Sequence, residues 1–430
     1  MRWHIGGLAA FLAASSLMSA PSFAADKSVE VLHFFTSGSE AKAFYQFKDK
    51  FEAAGGKWID SPVAGGGGDA HDTTLRARVL AGDGPGAAMP KCPEAARWYK
   101  EGYIVNIDEV AKANDWDNKL PELVRGFAKV DDHYVCVPFD IHRIDWLWGN
   151  ADVLASVGVA EMPKTWDEFD AVAAKLKASG KIVLAAGGQE WQDGTIFQAV
   201  ALGIGGPDYL SKLAEGDDAA IRSDTTRKVF NRMRTLSTYL DPGYPNRDWN
   251  LTSALVTKGD AAFQIMGDWA KGEFLLSGKK MATSMTPGAI LCAPVPGDKL
   301  DRPGMIMVSN ALAFFTKTKD QTDASDGQKL LAATLLSPDA ELAYTSYKGS
   351  VPSIMGVDKS QYDPCAQKSM ADLAAANGAK TLVGDLYTMF PTPPAITAAV
   401  RQVASKQFNT PEMSSDDAIN ALADAVDLAK

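Results

Sequence analysis

The chain is 430 residues long, longer than a single hydrophobic core usually serves, so two domains are expected. Its 53 acidic against 43 basic residues give a formal charge of -10, which argues against nucleic acid or an anionic membrane surface as a partner. The apolar and charged fractions, 46% and 22%, are those of an ordinary globular protein rather than a disordered or fibrous one.

The chain opens like an export leader. Arg2 is the positive start, Ile5 to Met18 form an apolar stretch rich in Ala and Leu, and Ser22-Phe23-Ala24 fits a small-x-small cleavage site. Residues 1–24 are therefore expected to be a signal peptide, with the mature protein in the periplasm. No later segment approaches the roughly 20 uninterrupted apolar residues of a membrane span.

Val29 to Phe35 reads as a buried strand. Ala43, Phe44, Phe47, Phe51 and Ala54 then recur at helical spacing until Gly55-Gly56, and Lys57 to Val63 is a second strand. Strand, helix, strand within about 35 residues is the unit of a parallel sheet. Gly65 to Asp69 turns into a helix over 70–81, and Ala87 to Pro90 is a short strand. Further on, Tyr134 to Phe139 reads as one strand and Ile141 to Asn150 as an alternating, Trp-containing segment. Thr165 and Glu168 open a helix as a capping box, and strands follow at Ile182 to Ala186 and Gly259 to Met266. Apolar helices dominate the last hundred residues. The fold class is α/β.

Motifs of bond chemistry are missing. The glycines at 65–68 lack the Lys-Ser/Thr ending of a phosphate loop, and no Gly-x-Ser-x-Gly follows a strand. His33, His71, His133 and His142 are isolated, so each is expected to be a surface or satisfied core residue, and no metal or other cofactor is implied. A pair of glycosidase carboxylates is defined by spatial separation and is left open by sequence. Four cysteines, Cys92, Cys136, Cys292 and Cys365, in an exported chain favour disulfides, with three pairings possible on paper. Aromatic residues beside polar groups stand at strand-to-helix turns: Phe34-Phe35, Trp146, Trp148, Trp191 and Trp269. Flat rings beside amides and carboxylates suit a polyhydroxylated ligand, and parallel sheets bind ligands at the carboxyl ends of their strands.

Several motifs occur in order: residues 31–41, Gly65 to Asp69, Tyr134 to Pro138, His142 to Trp148, Thr165 to Phe169, Gly267 to Phe274 and Lys348 to Pro352. Together they resemble the extracellular solute-binding proteins of carbohydrate ABC importers, family 1, in the branch with glucose- and mannose-binding proteins. The resemblance spans nearly the whole mature chain. It implies a two-lobe periplasmic binding protein fold, a monomer with no enzymatic activity, whose lobes close on a sugar and present it to a membrane permease. Residues 25–138 with 292–316 are expected in the N-terminal lobe and 139–291 with 317–430 in the C-terminal lobe. Crossings are placed near Val137 to Phe139, Ile290 to Pro294 and Thr316 to Thr322. The resemblance also supports a Cys292–Cys365 bridge and leaves Cys92 with Cys136.

Carried over by resemblance, the sugar contacts are Glu40, Lys91, Trp269 as a stacking platform, and Lys348 as a donor. Gln189, Trp191, Gln192 and Asp193 are expected as neighbours. Relatives place two Trp where Phe34-Phe35 stand, an Asp at Asn310 and a His at Thr388. Each change removes or alters a hydrogen-bonding group, so these positions are expected to tune specificity. Lys91 with Lys348 would suit an acidic substituent. A secreted glycoside hydrolase and a glycan-binding lectin are the alternative readings.

Overall fold

A computed structural model describes Met1 and residues 27–65, 68–298, 304–316, 321–389 and 394–430. The expected leader and its cleavage site lie outside these apart from Met1.

Two five-stranded sheets, each with its own core, make two lobes. In the first sheet the order is Lys57–Pro62, Ser28–His33, Ala87–Ala88, Ala311–Phe314, Val137–Pro138. The first three strands run parallel, with Val29 opposite Trp58 and Val31 opposite Ala87, as the strand-helix-strand reading requires. The intervening helix Gly38–Ala53 buries Ala43, Phe44, Phe47 and Phe51, one stripe at three- and four-residue spacing. Ser37 caps it, its side chain accepting from the Glu40 N–H.

The second sheet has the order Lys280–Ala282, Ala289–Pro294, Trp146–Asn150, Ala261–Ile265, Ile182–Ala185. Helix Trp166–Ala178 packs beside it and opens with the expected capping box of Thr165 and Glu168. Around the Cys292–Cys365 disulfide gathers a smaller cluster containing Trp146, Trp148, Trp249 and Phe274.

Three expectations are corrected. The stretch from Tyr134 to Phe139 is not one strand: His133–Tyr134 pairs with Lys129–Val130 in a hairpin whose turn residues, Asp131 and Asp132, adopt positive φ. Only Val137–Pro138 joins the main sheet. Secondly, Ile290 to Pro294 is no crossing but an inner strand of the second sheet, pairing with Trp146–Asn150. The chain instead passes between lobes at 139–145 and 304–310. There Met305–Val308 pairs antiparallel with His142–Arg143 and parallel with Leu382–Gly384 in a small connecting sheet. The third expected crossing, of which residues 317–320 lie outside the described residues, is flanked by Ala311–Phe314 and helix Asp326–Leu335, both of the first lobe, so the chain does not change lobes there. Thirdly, helices Asp326–Leu335 and Pro338–Lys348, expected in the C-terminal lobe, bury Leu331, Leu335 and Tyr344 in the first core. Tyr344 stacks on Phe47 with ring centroids 4.5 Å apart, so apolar packing, not chain order, assigns this segment to the first lobe.

Cys136 is buried, and the Cys92 side chain is outside the described residues, so their expected pairing stays an expectation.

Candidate functional site

Between the lobes lies a cleft of about 170 Å³. It is lined from the first lobe by Phe34, Phe35, Glu40, Lys91 and Lys348, and from the second by Trp191 and Trp269, with Asn310 and Thr388 beside them. Their positions follow from chain geometry. Phe34 and Phe35 leave the carboxyl end of the first strand, Glu40 sits in the first turn of the next helix, and Lys91 precedes helix Cys92–Lys100. Lys348 ends helix Pro338–Lys348, where Gly349 takes a φ of 100°. A side chain at Gly349 would stand 2.1 Å from the Asp268 carbonyl oxygen, so glycine is needed both for the turn and for this approach between segments.

The charged residues arrive matched. Lys348 Nζ donates to Glu40 Oε1 at 2.5 Å while lying 4.2 Å above the Phe35 ring. Glu40 Oε2 also accepts from Ser37 Oγ at 3.1 Å. Lys91 lies 3.4 Å from Asp72 and 3.7 Å from Asp69, and Arg401 donates to Glu190 at 2.7 Å. Each lining lysine therefore already faces a carboxylate.

The cleft floor is a buried ionic chain. His142 Nδ1 hydrogen-bonds Asp268 Oδ1, and its Nε2 lies 3.0 Å from Asp140 Oδ2. Burial opposes protonation of His142, but the two flanking carboxylates prevail and lift its pKa to about 9, so the ring is a cation at neutral pH. Burial likewise works against ionised Asp140, yet His142 and Asn310 hold its pKa below the usual range. Asn310 donates to Asp140 through its backbone N–H at 2.7 Å and through Nδ2 at 2.9 Å. Tyr344 donates to the same carboxylate at 2.7 Å. Asn310 thus serves the floor as a donor, a role that an ionised Asp would not fill with its side chain.

Trp269 packs edge-on to His142 at 5.4 Å and lies 6.3 Å from Trp191. Its indole N–H is buried without a hydrogen-bond partner. Across the cleft Asp385 accepts from Gln198 at 2.6 Å and from Thr388 Oγ1, and burial pushes its pKa up.

Some expected residues fall elsewhere. Gln189 accepts from Trp191 Nε1 and Gln192 Nε2, both at 2.9 Å, and donates to Asp248 at 3.0 Å, bracing the loop rather than lining the cleft. Gln192 and Asp193 are fully buried on the inner side of helix Glu190–Gly205, where Asp193 accepts from Ser405 and Asn409, each at 2.6 Å. On that helix Trp191 and Thr195, four apart, face the cleft instead. Trp146 and Trp148 are core residues at 1% and 0% exposure. Conversely, Thr195, Trp249, Asp385, Tyr387 and Arg401 line the cleft and were not singled out by sequence, and His142, expected to be a surface or satisfied core residue, lines it too. Only Thr195 carried a signal, its spacing from Trp191.

With this geometry in hand, similarity to other proteins is informative. A family described as bacterial extracellular solute-binding protein matches residues 37–341. A probable sugar-binding periplasmic protein of Brucella suis is 40% identical over 405 residues, covering 94% of this chain and 93% of its own. One of the same description from Rhizobium meliloti is 38% identical over 417 residues, covering 97% and 98%. Among solved structures, a chitin oligosaccharide binding protein shares the fold with a TM-score of 0.76 at 18% identity, covering 94% of this chain and 98% of its own. The two lobes, the cleft between them and the sequence match agree, and the chain belongs to the bacterial extracellular solute-binding protein family.

Proposed function

We propose that this chain is the periplasmic substrate-binding component of an ABC importer. In this reading it binds a neutral hexose or related sugar between its lobes and hands it to the membrane permease as a monomer, without breaking bonds. The observation that carries the proposal is the cleft's pairing of exposed ring faces with matched polar groups. Trp269, Trp191 and Phe34 offer stacking surface beside Glu40, Lys348 and Thr388. The sugar-binding descriptions of the relatives point the same way.

Neutrality follows from charge matching. An anionic ligand would meet Lys348 and Lys91 already engaged by Glu40, Asp72 and Asp69 and would be repelled by those carboxylates. Size argues for a single ring, since about 170 Å³ is below the roughly 300–1,000 Å³ of pockets for drug-sized ligands. Closure provides the mechanism: a ligand touching both lobes stabilises only the shut form and shifts the population toward it. The tie of Glu40 to Lys348 also leaves that carboxylate poorly placed for glycosidase chemistry.

A thermal-shift screen with monosaccharides, sugar acids, polyols and disaccharides tests this. Ligand at about 1,000 times its Kd adds roughly 4 kcal/mol of stability. A shift with neutral monosaccharides supports the proposal, and silence with every carbohydrate contradicts it.

A further inference from the structure

The short helix Ala270–Leu276 touches both lobes. It packs on Trp249–Lys258 of its own lobe and on Gly38–Ala53 and Pro338–Lys348 of the other. Trp269 stands at its start, and Glu273 reaches across the seam. Glu273 Oε1 accepts the Ser39 backbone N–H at 3.0 Å and the Ser39 hydroxyl at 2.5 Å. Ser39 is 2% exposed and is the second residue of helix Gly38–Ala53. Backbone N–H groups in a first helical turn have no acceptor within the helix, and the positive end of the helix favours an anion. One lobe thus supplies the carboxylate that completes the first turn of a helix in the other. The very next residue of that helix is Glu40, which lines the cleft and holds Lys348.

The seam depends on a close approach. A side chain at Gly272 would stand 2.5 Å from the Tyr347 carbonyl oxygen and 3.0 Å from Ser39 Oγ. Glu273 itself does not line the cleft.

We propose that Glu273 is a positioning residue for lobe closure, clasping Ser39 and thereby setting the closed population. The geometry stands on its own, while the affinity readout rests on the sugar-binding reading above. A residue that acts through the closed fraction lowers the apparent affinity of every ligand by one factor. A residue that touches the ligand changes their order.

The test compares the parent with Glu273→Ala and Glu273→Gln by calorimetric titration of D-glucose, D-mannose, D-galactose and myo-inositol, with X-ray scattering of each ligand-free protein. Hydrogen bonds to a charged acceptor predict a loss of roughly tenfold for Glu273→Ala across all bound sugars, in unchanged order. Glu273→Gln keeps an acceptor and is expected within about threefold of the parent. Affinities of Glu273→Ala equal to the parent's, or a changed order of sugars, overturn the proposal. If no sugar binds the parent, the sugar-binding reading fails separately and scattering decides. A larger radius of gyration in Glu273→Ala then supports the clasp, and an equal one refutes it.

Discussion

Replacing Glu341 by Gln should make the protein more stable, by an amount that grows with pH. Glu341 is fully buried on helix Pro338–Lys348. Its Oε1 accepts the Ser353 N–H at 2.9 Å and the Ile354 N–H at 3.4 Å, while Oε2 is buried without a partner. Burial pushes its pKa up from 4.5 to about 8, against the two backbone donors, with nearby Asp140 adding to the rise. A raised folded-state pKa means that the stabilising contribution is complete below pH 4.5 and is lost as pH climbs through about 8. The interval of about 3.5 pH units, at about 1.36 kcal/mol each, is worth on the order of 5 kcal/mol, of which about 3 is already lost at pH 7. Glutamine keeps a carbonyl acceptor for the Ser353 and Ile354 N–H groups and has nothing to ionise. Urea unfolding followed by circular dichroism at pH 4, 7 and 9 should show near-equal stability at pH 4 and a widening advantage for Glu341→Gln above it. A difference independent of pH, or a less stable variant at pH 9, would refute the reasoning.

Trp269→Ala should weaken sugar binding by about tenfold or more through lost stacking and buried area, with the far-ultraviolet spectrum unchanged; titration calorimetry checks it. Lys348→Met leaves Glu40 buried without its cation and should cost about 3–5 kcal/mol in denaturant unfolding, part of which Glu40→Gln in the same chain restores. Cys365→Ser opens a loop spanning 73 residues and should cost about 4 kcal/mol, read as a lower urea midpoint relative to the oxidised parent.

Much of the first lobe was legible because its signals are local. The Phe44, Phe47, Phe51 stripe and the Ser37 cap specify the first helix, and a parallel partner for Val29–His33 follows from the helix between the strands. The lobe boundary was not legible. Helices Asp326–Leu335 and Pro338–Lys348 are as apolar as those of the second lobe, and only the shape of the first core, through contacts such as Tyr344 on Phe47, assigns them. At the cleft, aromatic residues at strand ends revealed Phe34, Trp191 and Trp269. The helix phase after Gln189 was misjudged, so Gln192 and Asp193 were expected in a cleft that Trp191 and Thr195 face. Asp385 and Arg401 come from segments far along the chain with no motif around them. The isolated His142 gave no hint that Asp140 and Asp268 would close on it from both sides.

The central claim is that the cleft holds a single neutral sugar ring. Isothermal titration of the protein with neutral hexoses, hexuronic acids and disaccharides tests it most directly. The account predicts saturable binding of at least one neutral monosaccharide and no heat from its uronic acid. Tighter binding of the acid, or no binding of any neutral sugar, would contradict it.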